Sequence, residues 1–416
     1  MSTAAVSATA VIALAVTGCS TKSSGGSDGG GDGSLKTDYG VTDDEITLLE
    51  LSDLSGVFKV ISLAFVNGTK VWAEEVNANG GICDREIKLD IRDTAYKVDN
   101  AVPLYEAAKN ESVGMINLGG SHIVAALKSK LVSDKMLTVT AAWASVNLDT
   151  PEVMIVGQTY DVEMINGLAF LQSEGLIADG DKIGHIYVDS EYGQNGLMGS
   201  KAYAAEHDIQ IVEAPIAAAD TDMTATVTKM KSEGVKAIAV TTPPGALTSI
   251  AVQTQAQGLE VPLIGNNPSF APNMLTDANV EAALQNYYME SSVVPFGGDN
   301  EKANEILAAV QEMSDDEPNI GSVQGYTWGL AFEEVLNIAC ENGDMTRQGL
   351  VDAKAEISSL ESDGLTGKLD FSTEGASSSK ESYILVVDKS KPGALAVKQE
   401  LTESEEAKNY KAPHQK

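Results

Sequence analysis

The residues best suited to hold a ligand are Gly119, Gly120 and Ser121, in the stretch NLGGSHIVAAL. Two glycines let backbone N–H groups approach closely, and a hydroxyl at the positive end of a following helix adds a donor, so the trio suits a carboxylate or similar anion. Ser121 serves equally as the N-cap of its own helix, and both readings stand at this point. Trp143, in TAAWASVNL between Ala142 and Ala144, either packs beneath a loop or forms the wall of a pocket. Tyr192 in VDSEYGQNG offers a ring and a hydroxyl, Pro243 and Pro244 in TTPPGAL close another strand, and Asn267 in IGNNPSF carries an amide that donates or accepts. Ser55 and Phe58 lie in LSDLSGVFK, a glycine-containing loop that opens a helix.

Signals for catalysis are scarce. GGSHI lacks the second glycine of a nucleophile elbow. The four histidines, His122, His185, His207 and His414, show no metal-ligand spacing with Cys or Asp. GGSDGGGDG precedes no strand–helix pair, so it reads as a linker and not as a dinucleotide fingerprint. The expectation is a binding protein with no catalytic residue, metal or cofactor.

The candidate residues share one kind of position, the end of a strand and the start of a helix. EITLLEL, IKLDIRD, VGMINL and MLTVTA read as strands, separated by helical segments of which the first closes on Asn79-Gly80-Gly81. The rhythm restarts after VGQTYD with KIGHIYVD, IQIVEAPI, VKAIAVTT and VPLIGN as strands. Such alternation implies right-handed crossovers and parallel sheets, with ligands bound beyond the carboxyl ends of the strands. The fold class is therefore α/β, with two doubly wound parallel-sheet lobes joined by a hinge that the chain crosses several times. The chain divides into 41–157 plus 289–367 as lobe 1 and 158–288 plus 368–392 as lobe 2, with LDFSTEG and YILVVD as a late hairpin-like pair and 393–416 as a solvated tail. The cleft between the lobes is the expected site.

Bulk properties agree with such an architecture. A chain of 416 residues with 43% hydrophobic content is long enough for two cores. Its net charge of −32 repels nucleic acid and anionic lipid headgroups. Near the N-terminus, VIALAV is short for a membrane span but suits a signal-peptide core, although the preceding segment has no Lys or Arg. The VTGC that follows resembles a bacterial lipobox, which makes 1–18 a signal peptide, Cys19 a lipid attachment site and 19–40 a flexible linker. Cys83 and Cys340 remain, and outside the cytoplasm they form either a disulfide or two buried thiols.

Taken in order and at their separations, LSGVF, NANGGI, LGGSH and VDSEYGQNG resemble the type I periplasmic binding proteins of the leucine/isoleucine/valine-binding class. The resemblance runs from about Val41 to Val387. It implies a monomeric, lipid-anchored, extracytoplasmic receptor that closes on a small solute and delivers it to an ABC permease. It also implies a carboxylate site at Gly120, Ser121, Ala142, Trp143 and Ala144, and an aromatic lid at Tyr192. Where amino-acid binders place an acidic residue for the ligand's ammonium, Asn267 stands here, and Ala144 stands for a hydroxyl. An unpaired ammonium in a closed cleft is unfavourable, so the expected solute is either an amino acid served by Asp53 or Asp161, or a small carboxylate or amide stacked on Trp143, Tyr192 and Phe58. A ligand-sensing domain of a signalling system and an exported hydrolase are the alternatives.

Overall fold

The computed structural model describes Met1 and residues 35–416. The signal peptide, Cys19 and most of the linker lie outside the described residues. Two sheets organise the rest. In the first, β1 (Glu45–Ser52), β2 (Glu86–Asp93), β3 (Gly114–Leu118), β4 (Thr138–Thr140) and β5 (Val153–Met154) run in the order β2-β1-β3-β4-β5, all parallel. In the second, β6 (Lys182–Val188), β7 (Gln210–Ile216), β8 (Ala237–Thr241), β9 (Leu263–Gly265), β10 (Tyr287–Ser291), β11 (Ser382–Val387) and β12 (Leu395–Thr402) run in the order β12-β11-β10-β9-β8-β6-β7. This second sheet is parallel through β10, and its last two strands are antiparallel. Near-continuous apolar runs explain the inner strands: Ile46, Leu48, Leu49 and Leu51 of β1 are fully buried, because helices cover both faces of a parallel sheet.

Six helices matter for the site: α1 (Lys59–Ala78), α2 (Ser121–Asp134), α3 (Tyr160–Ser173), α4 (Glu191–Glu206), α5 (Pro244–Ala256) and α6 (Gly321–Glu341). Helix α1 ends where Gly80 and Gly81, both at positive φ, return their N–H groups to Asn77 and Val76. It packs on α6 with the two backbones nearly touching. A Cβ at Gly325 would lie 2.1 Å from the Phe65 carbonyl oxygen, and one at Gly68 equally near that of Ser322. Cys83, just past α1, is bonded to Cys340 near the end of α6, with Cα atoms 6.0 Å apart.

The chain passes between the sheets near Gly157, Ser292 and Ser378; the first and third crossings bond to each other, and Gln324 of α6 links Ser292 to the Val156 carbonyl beside the first. The Gly157 N–H donates to Ser378 Oγ at 2.8 Å, and Ser292 Oγ donates to Gln324 of α6 at 3.0 Å. Two boundaries read from the sequence shift accordingly. Tyr287–Ser291 stays in the second sheet, so the crossing follows residue 291 and not 288. Residues 369–371 still pack on lobe 1, where Leu369 bridges Leu360 and the Phe371 N–H donates to Ile357. LDFSTEG therefore forms no hairpin with YILVVD; the partner of β11 is β12. Nor is 393–416 a solvated tail. It supplies β12, a short helix at Glu405–Asn409 with Ala407 buried, and Tyr410, whose hydroxyl donates to Asp161. The linker also ends earlier than residue 40, since Lys36–Thr37 pairs in parallel with Asp344–Met345.

Candidate functional site

A small cavity lies between the lobes at the carboxyl ends of β1, β3 and β4, where the topology places ligands. Six aromatic side chains line it: Phe58, Phe65, Tyr96, Trp143, Tyr160 and Tyr192. They form a continuous belt. Tyr160 meets Tyr192 at 4.6 Å and Trp143 at 5.6 Å between ring centroids, and Phe58 meets Tyr96 at 4.9 Å and Tyr192 at 6.3 Å. Lobe 1 supplies most of the wall, while Tyr160 at the start of α3, Tyr192 at the start of α4 and Pro268 come from lobe 2. The free volume is about 30 Å³, and rings of the two lobes meet across it, Phe58 with Tyr192 at 6.3 Å between centroids.

Gly120 and Ser121 lie on the lining at the start of α2. Gly120 caps α2 at φ 99°, a conformation that favours glycine, and a Cβ there would sit 3.0 Å from the Tyr96 ring. Ser121 is the first residue of α2 and not its N-cap, and its hydroxyl makes no capping bond. Ser121 Oγ and Trp143 Nε1 are both buried on the lining without a hydrogen-bond partner. Beside them stand the first-turn N–H groups that a helix leaves without internal acceptors. No Lys, Arg or His lines the cavity.

Of the residues expected at the site, the structure brings Phe58, Gly120, Ser121, Trp143 and Tyr192 together. The others fall outside the lining. Ser55 is exposed and donates to Asp93 at 2.7 Å. The Ala142 N–H donates to Thr140 Oγ1, and the Ala144 carbonyl accepts from Asn147 in a tight turn, and neither residue is on the lining. Strand-like alternation directs Ala141 and Trp143 inward instead. Pro244 opens α5 outside the cavity. Asn267 is buried with its Oδ1 unpartnered, and the neighbour that reaches the lining is Pro268.

The two aspartates differ in position, since only Asp53 is on the lining. Asp53 is on the lining, but its two oxygens accept from the N–H groups of Gly56 and Phe58 and hold the loop before α1. Asp161 accepts from Ser145 at 2.5 Å, from Tyr410 at 2.9 Å and from Thr159, and so ties the C-terminal segment to α3. Tyr96, Tyr160 and Phe65 were not singled out in the sequence. Tyr96 sits in a turn with φ 58°, and Tyr160 is the first residue of α3 just after the hinge.

One turn along α3 from Tyr160, the buried Glu163 accepts from Asn266 Nδ2 at 2.6 Å and so fixes the loop that carries Pro268. Burial pushes its pKa up to about 8, with nearby Asp161 adding to the shift, so the group is largely protonated at neutral pH. A folded-state pKa above that of the unfolded chain confers stability that is fully present below about pH 4.5 and is lost as pH rises through about 8. The loss runs at up to about 1.4 kcal/mol per pH unit within that window. Buried Glu290, also raised well above its ordinary range by burial, acts in the same direction. Glu163→Gln keeps the acceptor for Asn266 without the titration. Thermal melts between pH 6 and pH 9 are expected to show a smaller fall for the variant than for the parent protein.

The periplasmic binding protein family profile matches residues 45–392. The chain belongs to the type I periplasmic binding proteins of ABC transporters. A fatty acid ABC transporter substrate-binding protein from Thermomonospora curvata is 32% identical, with a TM-score of 0.88 over 91% of this chain and 97% of that one. A branched-chain amino acid ABC transporter protein from Thermus thermophilus, solved with bound valine, shares the fold at 15% identity and a TM-score of 0.77, over 88% and 99% of the two chains. A periplasmic protein from Ralstonia solanacearum does so at 22% identity and 0.74, over 85% and 100%. No curated protein sequence matches. As a member of this family, the binding protein works outside the cytoplasm and delivers a small solute to an ABC permease. Among its described residues, no helix is long and apolar enough to cross a membrane, and no cluster of His, Cys, Asp and Glu is arranged to hold a metal ion.

Proposed function

We propose that this binding protein captures an apolar monocarboxylate, a fatty acid or an aryl carboxylate, and closes its two lobes around it before handing it to the permease. The observation that carries this reading is the lining itself. Six aromatic rings surround two side-chain donors without partners, Ser121 Oγ and Trp143 Nε1, at the N-terminus of a helix. Hydrogen bonds and the helix dipole there suit a carboxylate, and the rings suit an apolar body. The name of the Thermomonospora relative, at 32% identity, points to the same class. An α-amino acid is the second reading, favoured by Asp53 as the carboxylate on the lining. In the same proposal the protein acts as a monomer, tethered through a lipid on Cys19, and the Ser- and Gly-rich segment after it serves as the leash.

Titration calorimetry with octanoate, phenylacetate and leucine tests the solute class. Octanoate or phenylacetate is expected to bind and leucine not to. Ser121→Ala is expected to weaken carboxylate binding about tenfold, the loss of one hydrogen bond to a charged group. Tight leucine binding with no response to either carboxylate would overturn the proposal in favour of the second reading.

A further inference from the structure

Just outside the aromatic cavity lies a second, larger space of about 270 Å³. Phe58 and Ile61 belong to both linings, so a single layer of side chains separates the two. Val57 and Val60 form its lobe 1 side, and Pro244, Ala271 and Met274 its lobe 2 side, so both lobes wall it and it is open to solvent at Val57 and Val60. It carries no charged residue. Val57 and Val60 are 45% and 40% exposed, two of the few large apolar side chains left open to solvent among the described residues. The other mouth of the cleft is different in kind, lined by His122, Asp189, Glu191 and Gln194, and it shares no residue with the cavity.

We propose that this vestibule is the subsite for an acyl tail. The inference rests on the monocarboxylate reading and adds where the chain goes. With the carboxylate at Ser121, a long chain finds little room in a cavity of about 30 Å³ and about nine times as much beyond Phe58. The Phe58 backbone is fixed, its N–H donating to Asp53 at 2.9 Å, while its ring stands edge-on to Tyr96 and Tyr192 at the boundary of the two spaces. Phe58 is thus the gate between head site and tail site. Chain-length preference is set by the vestibule, where each added methylene leaves water for an apolar wall. The charged mouth on the opposite side disfavours the same tail.

Calorimetry on the full chain with butanoate, octanoate, dodecanoate and hexadecanoate, each below its micelle concentration, tests this. Affinity is expected to rise with chain length. Val57→Asp combined with Val60→Asp is expected to weaken dodecanoate at least tenfold and to leave butanoate within twofold. Val60→Ser, a milder change at an exposed position, should fall between parent and double variant. Equal losses for butanoate and dodecanoate, or no loss for dodecanoate, would overturn the tail site while leaving the head site standing. Failure of every carboxylate to bind the parent protein would overturn the monocarboxylate reading and the tail site with it.

Discussion

Replacing Trp143 by alanine is expected to weaken binding of an apolar carboxylate about 100-fold, or roughly 3 kcal/mol. Trp143 does two things at once. Its ring joins the belt, 5.6 Å from Tyr160 and 6.1 Å from Phe65, and its Nε1 is a buried donor without a partner. Truncation removes a wall and a hydrogen bond together, and it opens a hole beside Trp328, 6.3 Å away. Trp143→Phe separates the contributions, since it keeps an aromatic wall and loses the donor, and its loss should be about tenfold. Isothermal titration of both variants, with melting temperatures to confirm folding, makes the check. If the phenylalanine variant binds as the parent does, the indole N–H is not a ligand donor.

The second large effect concerns stability and not binding. Breaking the Cys83–Cys340 bond, by reduction or as Cys340→Ser with Cys83→Ser, is expected to lower unfolding free energy by about 4 kcal/mol. The bond closes a loop of 257 residues, and closing long loops restricts the unfolded chain most. It ties the far ends of α1 and α6, whereas the cavity is lined from the start of α1 at Phe58 to Phe65. At 1.5 Å per residue those ends are some 25 Å apart along the helix, so ligand affinity should change less than threefold. Urea unfolding with and without reductant measures the first quantity, and calorimetry on the same samples the second. A reduced protein that unfolds at the same urea concentration would remove the bond from the account of stability.

Much of the site was legible because strand ends and helix starts leave clear marks. Gly120, Ser121 and Tyr192 sit at such junctions, and alternation through Ala141, Ala142 and Trp143 decides which of them lines the cavity. Ala142, Ala144 and Asn267 lie off the lining, each one residue from a position that is on it, Trp143 or Pro268, a displacement too small for spacing in the sequence to resolve. Phe65 was hidden differently. Helix α1 is covered by the sheet, by α6 and by the opposite lobe at its start, so apolar residues occur around most of its surface and no single stripe marks the cleft. Tyr96 gave no spacing signal because it sits in a left-handed turn between elements. The tail was misread because β12 is an edge strand, whose outward residues are polar, in LAVKQELT, and mask a half-buried alternation.

The central claim is that two unpartnered donors inside an aromatic belt select an apolar monocarboxylate. Mass spectrometry of small molecules released on denaturing the natively purified protein tests it most directly. The account predicts a fatty or aryl monocarboxylate in near-stoichiometric amount, lost in the Trp143→Ala variant. Release of leucine, valine or a sugar in that amount would contradict it.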